Sequence, residues 1–120
     1  MAYEENLSTI SLEAAADLSA KQYYFMKVDT NGRANVPSVE GEITAGVLQN
    51  DPAALGRAAT IAVAGSVSKV VAGEAIAAGA QITAGSDGRA MNSDSGDDTR
   101  GINLTIAATA AGDIISVLLV

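Results

Sequence analysis

The sequence predicts an all-β fold, a small β-barrel or β-sandwich (β-tulip-like) built from two pseudo-repeated halves with an N-terminal extended segment. Three observations predict it. Short β-branched or aromatic runs alternate with Gly, Asp, Asn and Pro along the chain. Two tight-turn signatures, Asp29-Thr30-Asn31-Gly32 and Ser86-Asp87-Gly88, supply the left-handed positions a hairpin needs. Finally, these features recur at a nearly constant offset. Asn31-Gly32-Arg33-Ala34 matches Asp87-Gly88-Arg89-Ala90 at 56, and Gly46-Val47-Leu48 matches Gly101-Ile102-Asn103 at 55. Gly56 and the apolar run after it match Gly112 and its own run at 56.

Taken in order, residues 1–18 have no counterpart in this register. Leu7, Thr9, Ile10 and Leu12 suit an extended segment, either the first strand of the sheet or an arm that adds to a neighbour's edge. Residues 19–120 then form a single β domain, with pseudo-repeats over about 19–64 and 75–120. Gln22 to Val28 reads as a strand in which alternation sets Tyr23 and Phe25 on one face and Tyr24 on the other. Val47 and Leu48 end a strand at Asn50-Asp51-Pro52, where proline fixes φ. Ala59 to Val63, Val67 to Val71, Ile102 to Ile106 and Ile114 to Val120 are further strands. Glu13 to Ala20 and Gly73 to Ala80 are rich in alanine, but Gly73 and Gly79 bracket the second too tightly for a helix. Both read as loops or single turns.

Composition removes most chemistry. The 120 residues contain no Cys and no His, so disulfides, thiolate ligands and the commonest general base are absent. Net charge is −7, with no Lys/Arg cluster, and such a surface repels a phosphate backbone. No apolar stretch approaches the length of a membrane span, and Met1 to Asn6 lacks the basic and apolar regions of a secretory signal. The acidic loop from Asn92 to Asp98 could offer oxygen ligands to a hard cation, but its spacing does not follow an EF-hand. Phosphate-cradling glycine motifs are absent, and the lysines lie in no Ser-Lys arrangement. The expectation is a protein that is not an enzyme, needs no cofactor and binds no nucleic acid or membrane. Aromatics are 3% of the chain, so a core of Ala, Val, Ile and Leu buries little area per residue, and assembly is expected to supply part of the stability.

Candidate interface residues follow. Leu7, Ile10 and Leu12 would serve an N-terminal arm, and Tyr23 and Tyr24 are rigid amphipathic anchors. Arg33 and Arg89 occupy equivalent positions after the two hairpin glycines, either as contacts or with their stems covering a neighbouring strand.

The order from Gly46-Val47-Leu48-Gln49-Asn50-Asp51-Pro52 through Ala62-Val63-Ala64-Gly65, Val67 to Gly73, Ile76 to Gly79 and Asp87-Gly88-Arg89-Ala90 resembles the capsid decoration, or cement, proteins of tailed bacteriophages. Ala111-Gly112-Asp113-Ile114-Ile115-Ser116-Val117 is similar to that family's ending. The resemblance covers residues 20–120. It implies a structural virion protein, made in the host cytoplasm, that forms a homotrimer on the capsid exterior. There it would bind the major capsid protein and stabilise its lattice, with no catalytic residues to carry over. A head fibre or tail component, or a carbohydrate-binding module, are the alternatives, although the last is disfavoured by the absence of Trp.

Overall fold

In a computed structural model of the chain, which describes residues 4, 7–105 and 110–120, ten short strands form two antiparallel sheets. The first holds β1 (Thr9–Glu13), β2 (Phe25–Val28), β3 (Ala34–Asn35), β4 (Gly46–Leu48) and β5 (Ala58–Ala62) in the order β1-β5-β4-β2-β3. The second holds β6 (Val67–Val71), β7 (Gln81–Ala84), β8 (Ala90–Asn92), β9 (Gly101–Asn103) and β10 (Ile114–Leu119) in the order β6-β10-β9-β7-β8. The second order is the first repeated, strand for strand. Among the described residues there is no helix, and so none long and apolar enough to cross a membrane.

Hydrogen bonds outside the ladders fix the equivalence of the halves. The N–H of Tyr23 reaches the Leu48 carbonyl as that of Gly79 reaches Asn103, at 2.7 Å each. The Gln49 N–H goes to Thr60 as that of Leu104 goes to Ser116. β1 takes part in this repeat. Glu13 faces Ala58 as Val71 faces Ile114, so β1 is the counterpart of β6 at an offset of 58. The repeat therefore runs further toward the N-terminus than its sequence anchors reach, and Thr9–Glu13 is a paired strand of the first sheet.

Each sheet curls until its ends meet. Ala14 bridges Ala34 in parallel, with the Ala15 N–H on the Ala34 carbonyl at 2.9 Å. Ala72 bridges Ala90 in the same way, with the Gly73 N–H on the Ala90 carbonyl at 2.8 Å. Alanine on both sides of each seam lets the backbones approach, so five strands close around a few side chains. Leu18, Met26, Leu48, Ala59 and Ile61 fill the first barrel, and the equivalent Ile76, Ile82, Asn103, Ile115 and Val117 fill the second. Small residues shrink the lumen, so that seven buried side chains fill the first. Asn103 stands where the first half has Leu48. Its amide donates to the carbonyls of Ile76 and Ala77 and accepts the Thr105 N–H at 2.9 Å, so it is buried without an orphaned group.

The two hairpin turns match their sequence signatures. The Asp29 carboxylate accepts the N–H groups of Asn31 and Arg33, both at 2.9 Å. In the second turn burial pushes the Asp87 carboxyl up, but the Arg89 N–H and guanidinium outweigh it and hold the group below its ordinary value. The strand expected from Gln22 begins only at Phe25, because Tyr23 turns the chain with φ of 68°. The strand expected over Ile102 to Ile106 ends at Asn103, and Ile106 lies outside the described residues.

Candidate interaction surface

The two barrels join side by side through one well-defined surface. Phe25, Val47 and Ala62 of the first half extend the core cluster of the second, which brings Val70, Ala84 and Leu119. Backbone bonds flank this apolar strip. The Phe25 N–H donates to the Gly88 carbonyl at 2.7 Å, and the Val71 N–H donates to the Tyr23 carbonyl at 3.0 Å. The Gln49 amide donates to the Ser68 hydroxyl at 2.9 Å, and Lys69 Nζ stands 5.8 Å from the centre of the Tyr23 ring. Beside the strip lies a small open pocket of about 30 Å³ lined by Phe25, Thr44 and Arg100 among others.

The joint relates a face of the first half to an edge of the second. A two-fold relation would bury the same edge and the same face twice. Here the edge strand β6 is largely buried while its counterpart β1 is exposed along nearly its whole length. The joint is therefore heterologous.

Of the residues expected to make contacts, Leu7 and Ile10 are exposed, and Leu12 packs partly against the first barrel's core. Tyr23 and Tyr24 lie on opposite sides of the chain as expected, although both precede the strand, which begins at Phe25. Tyr23 packs with Phe25 on the joint cluster and Tyr24 with Met26 on the first core, its ring 4.9 Å from Lys21 Nζ. Arg33 Nε lies 3.7 Å from the Glu13 carboxylate, and Arg89 Nε bonds Asp87 at 2.7 Å. These residues do not converge on one patch. Leu7, Ile10 and Leu12 line the β1 side, Tyr23 and Lys69 meet at the joint, and each arginine stays within its own half. Glu40, Asp94 and Asp97 bring carboxylate oxygens within 4.8 Å of one another at the surface, a pairing of distant acidic loops that spacing did not reveal.

No protein-family model matches the chain, and no curated protein is similar to it. Among solved structures, the chain is similar to the head fibre gp8.5 N base of bacteriophage phi29. The TM-score is 0.70 at 18% sequence identity, covering 96% of this chain and 95% of that one. The likeness is one of fold, and it spans nearly the whole of both chains.

Tyr23 carries information that the sequence alone hid. It is the one non-glycine residue with positive φ among the described residues, and its counterpart is Gly79, with φ of 79°. An L-residue in this region costs about 1–2 kcal/mol. The ring offsets that cost by covering the joint beneath Lys69. Tyr23→Gly is expected to destabilise the protein by about 1–2 kcal/mol net, since losing a half-buried aromatic costs about 2–3 kcal/mol and the strain relieved returns only part. Urea unfolding followed by circular dichroism measures this, and a stabilised variant would show that the ring contributes nothing.

Proposed function

We propose that this chain is a structural subunit of a phage virion, seated on the outer surface of the head, where it binds the major capsid protein and stabilises its lattice. The observation that carries this reading is the fold likeness to a head fibre base over nearly the whole of both chains. The order of motifs from Gly46 to Val117, which resembles the decoration proteins, supports it independently. The physical character agrees. Two tight, alanine-seamed barrels make a stiff body, and a stiff body loses little conformational entropy when it docks. The role asks for surface complementarity and for no turnover, cofactor, nucleic acid or membrane.

The fold likeness favours a second reading as well, the base of a head fibre. Both readings place the chain on a capsid and differ in whether it reinforces the shell. The test is to mix the protein with purified expanded heads, image them, and follow shell disruption on heating. Saturable extra density outside the shell together with a higher disruption temperature is the expected result. Density without any thermal effect moves the reading to a fibre base. No density at saturating protein overturns both.

A further inference from the structure

We propose that copies of this chain join head to tail, with the second barrel of one copy taking the β1 edge of the next, so that the joint inside the chain is repeated between chains. The repeat and the heterologous joint point to this assembly independently of the capsid reading. The internal joint uses a face of the first half and an edge of the second, which leaves the face of the second and the edge of the first open. Those two surfaces carry the counterparts of the residues that make the Phe25–Gly88, Tyr23–Val71, Gln49–Ser68 and Tyr23–Lys69 contacts of the joint.

The edge is exposed where its counterpart is covered. Ile10 is 42% exposed against 0% for Ser68, and Val28 is 50% exposed against 0% for Ala84. Gly32 stands in open space, whereas Gly88 lies against Tyr24 and the Phe25 carbonyl. The face behaves likewise. Gly79 and Gln81 are exposed where Tyr23 is half-buried and Phe25 fully buried, and Leu118 is half-buried where Ala62 is buried.

Two of the joint's backbone contacts, Phe25 to Gly88 and Val71 to Tyr23, can be rebuilt. Strand alternation sends the Ala14 N–H inward to the Arg57 carbonyl, so the Glu13 N–H points out from the edge. Glu13 is the counterpart of Val71 and Gly79 of Tyr23, so that N–H is placed for the Gly79 carbonyl of the next copy. By the same mapping the Gln81 N–H meets the Gly32 carbonyl. The side chains give the decisive sign. The polar pair Gln49–Ser68 inside the joint maps onto Leu104 and Ile10, which are 41% and 42% exposed. Two apolar side chains occupy opposite open surfaces at the one place where the internal joint holds a matched polar pair. Ser11 and Gly79 replace Lys69 and Tyr23, leaving room for close approach where the internal joint carries a cation over a ring. A bare edge strand is otherwise a liability for uncontrolled pairing.

The test uses the full chain and two substitutions at exposed positions, Ile10→Asp and Leu104→Asp. Sedimentation equilibrium of the unaltered protein is expected to give an assembly of more than two copies. Each variant alone is expected to run as a single chain with an unchanged circular dichroism spectrum. Mixed one to one, the variants are expected to form dimers and nothing larger, because the intact face of Ile10→Asp fits the intact edge of Leu104→Asp. A single-chain mass for the unaltered protein at all concentrations overturns the proposal. So does a simple two-fold dimer, or a mixture that stays monomeric. Should either aspartate variant misfold, Ile10→Cys with Leu104→Cys replaces them, in a chain with no other cysteine. Oxidation is expected to link copies of the double variant into a ladder, while either single variant stays unlinked. Linking of a single variant to itself overturns the head-to-tail arrangement.

Discussion

Gly46→Ala is expected to destabilise the protein severely. β4 runs between β2 and β5, and Gly46 opens it where the chain passes against the Ala62 carbonyl. A methyl group at residue 46 would collide with that carbonyl oxygen and press on Ile61 at 3.0 Å. The obstacle is backbone, held in register by Val47 opposite Ala62 and Leu48 opposite Ile61, so no rotamer change relieves it. Separating these strands opens the first barrel and the joint together, because Val47 and Ala62 belong to the joint cluster. The cost is expected to exceed about 4 kcal/mol, a large part of the about 5–15 kcal/mol a domain holds. Gly101 is the counterpart in the second half. A methyl group there would meet the buried Val117 side chain, but its clash with backbone, the Leu118 carbonyl at 2.8 Å, is milder than the one at Gly46. Gly101→Ala is therefore expected to cost less, about 1–3 kcal/mol. Thermal unfolding of the two variants side by side checks both the size and the order, and equal effects would contradict the mapping of the clashes.

Phe25→Ala is expected to destabilise the protein by about 3–5 kcal/mol, the cost of emptying a fully buried aromatic site. Phe25 is the largest fully buried side chain that the first half sends into the joint, and the one phenylalanine in the chain. Its neighbours Val47, Ala62 and Val70 sit on strands whose ladders hold them in place, so the cavity closes poorly. The shift in unfolding temperature is on the order of 15 °C for a chain of this size. Because the two barrels have separate cores, the variant is also expected to lose the coincidence of its transitions, with one half unfolding ahead of the other. Urea titrations followed at the Tyr signal and in the far ultraviolet measure this. A single unchanged midpoint would show that the joint does not depend on the phenylalanine.

Much of this fold was legible because its signals are local. The hairpin glycines and the aspartates before them name the turns, and their recurrence at a steady offset announces two halves. Alternation set Tyr23 and Tyr24 on opposite faces, and they pack on different clusters. Two things were not legible. β1 escaped the repeat because the loop after it is two residues longer than the loop after β6, an offset of 58 against 56, and its residues share no motif with β6. Tyr23 read as a strand residue, since nothing in its type announces positive φ. Its counterpart Gly79 was the clue, visible only once the halves were aligned strand by strand.

The sequence by itself determined the class of the fold, the doubling, the turn positions and the residue types available for chemistry, since each follows from backbone propensity and side-chain inventory. Only the tertiary structure decided that each half closes its own barrel and that the two halves meet face to edge. That choice depends on which side chains converge across distant strands, Phe25 with Val70 or Gln49 with Ser68, and no local pattern encodes such pairs. The same choice leaves one edge and one face without partners.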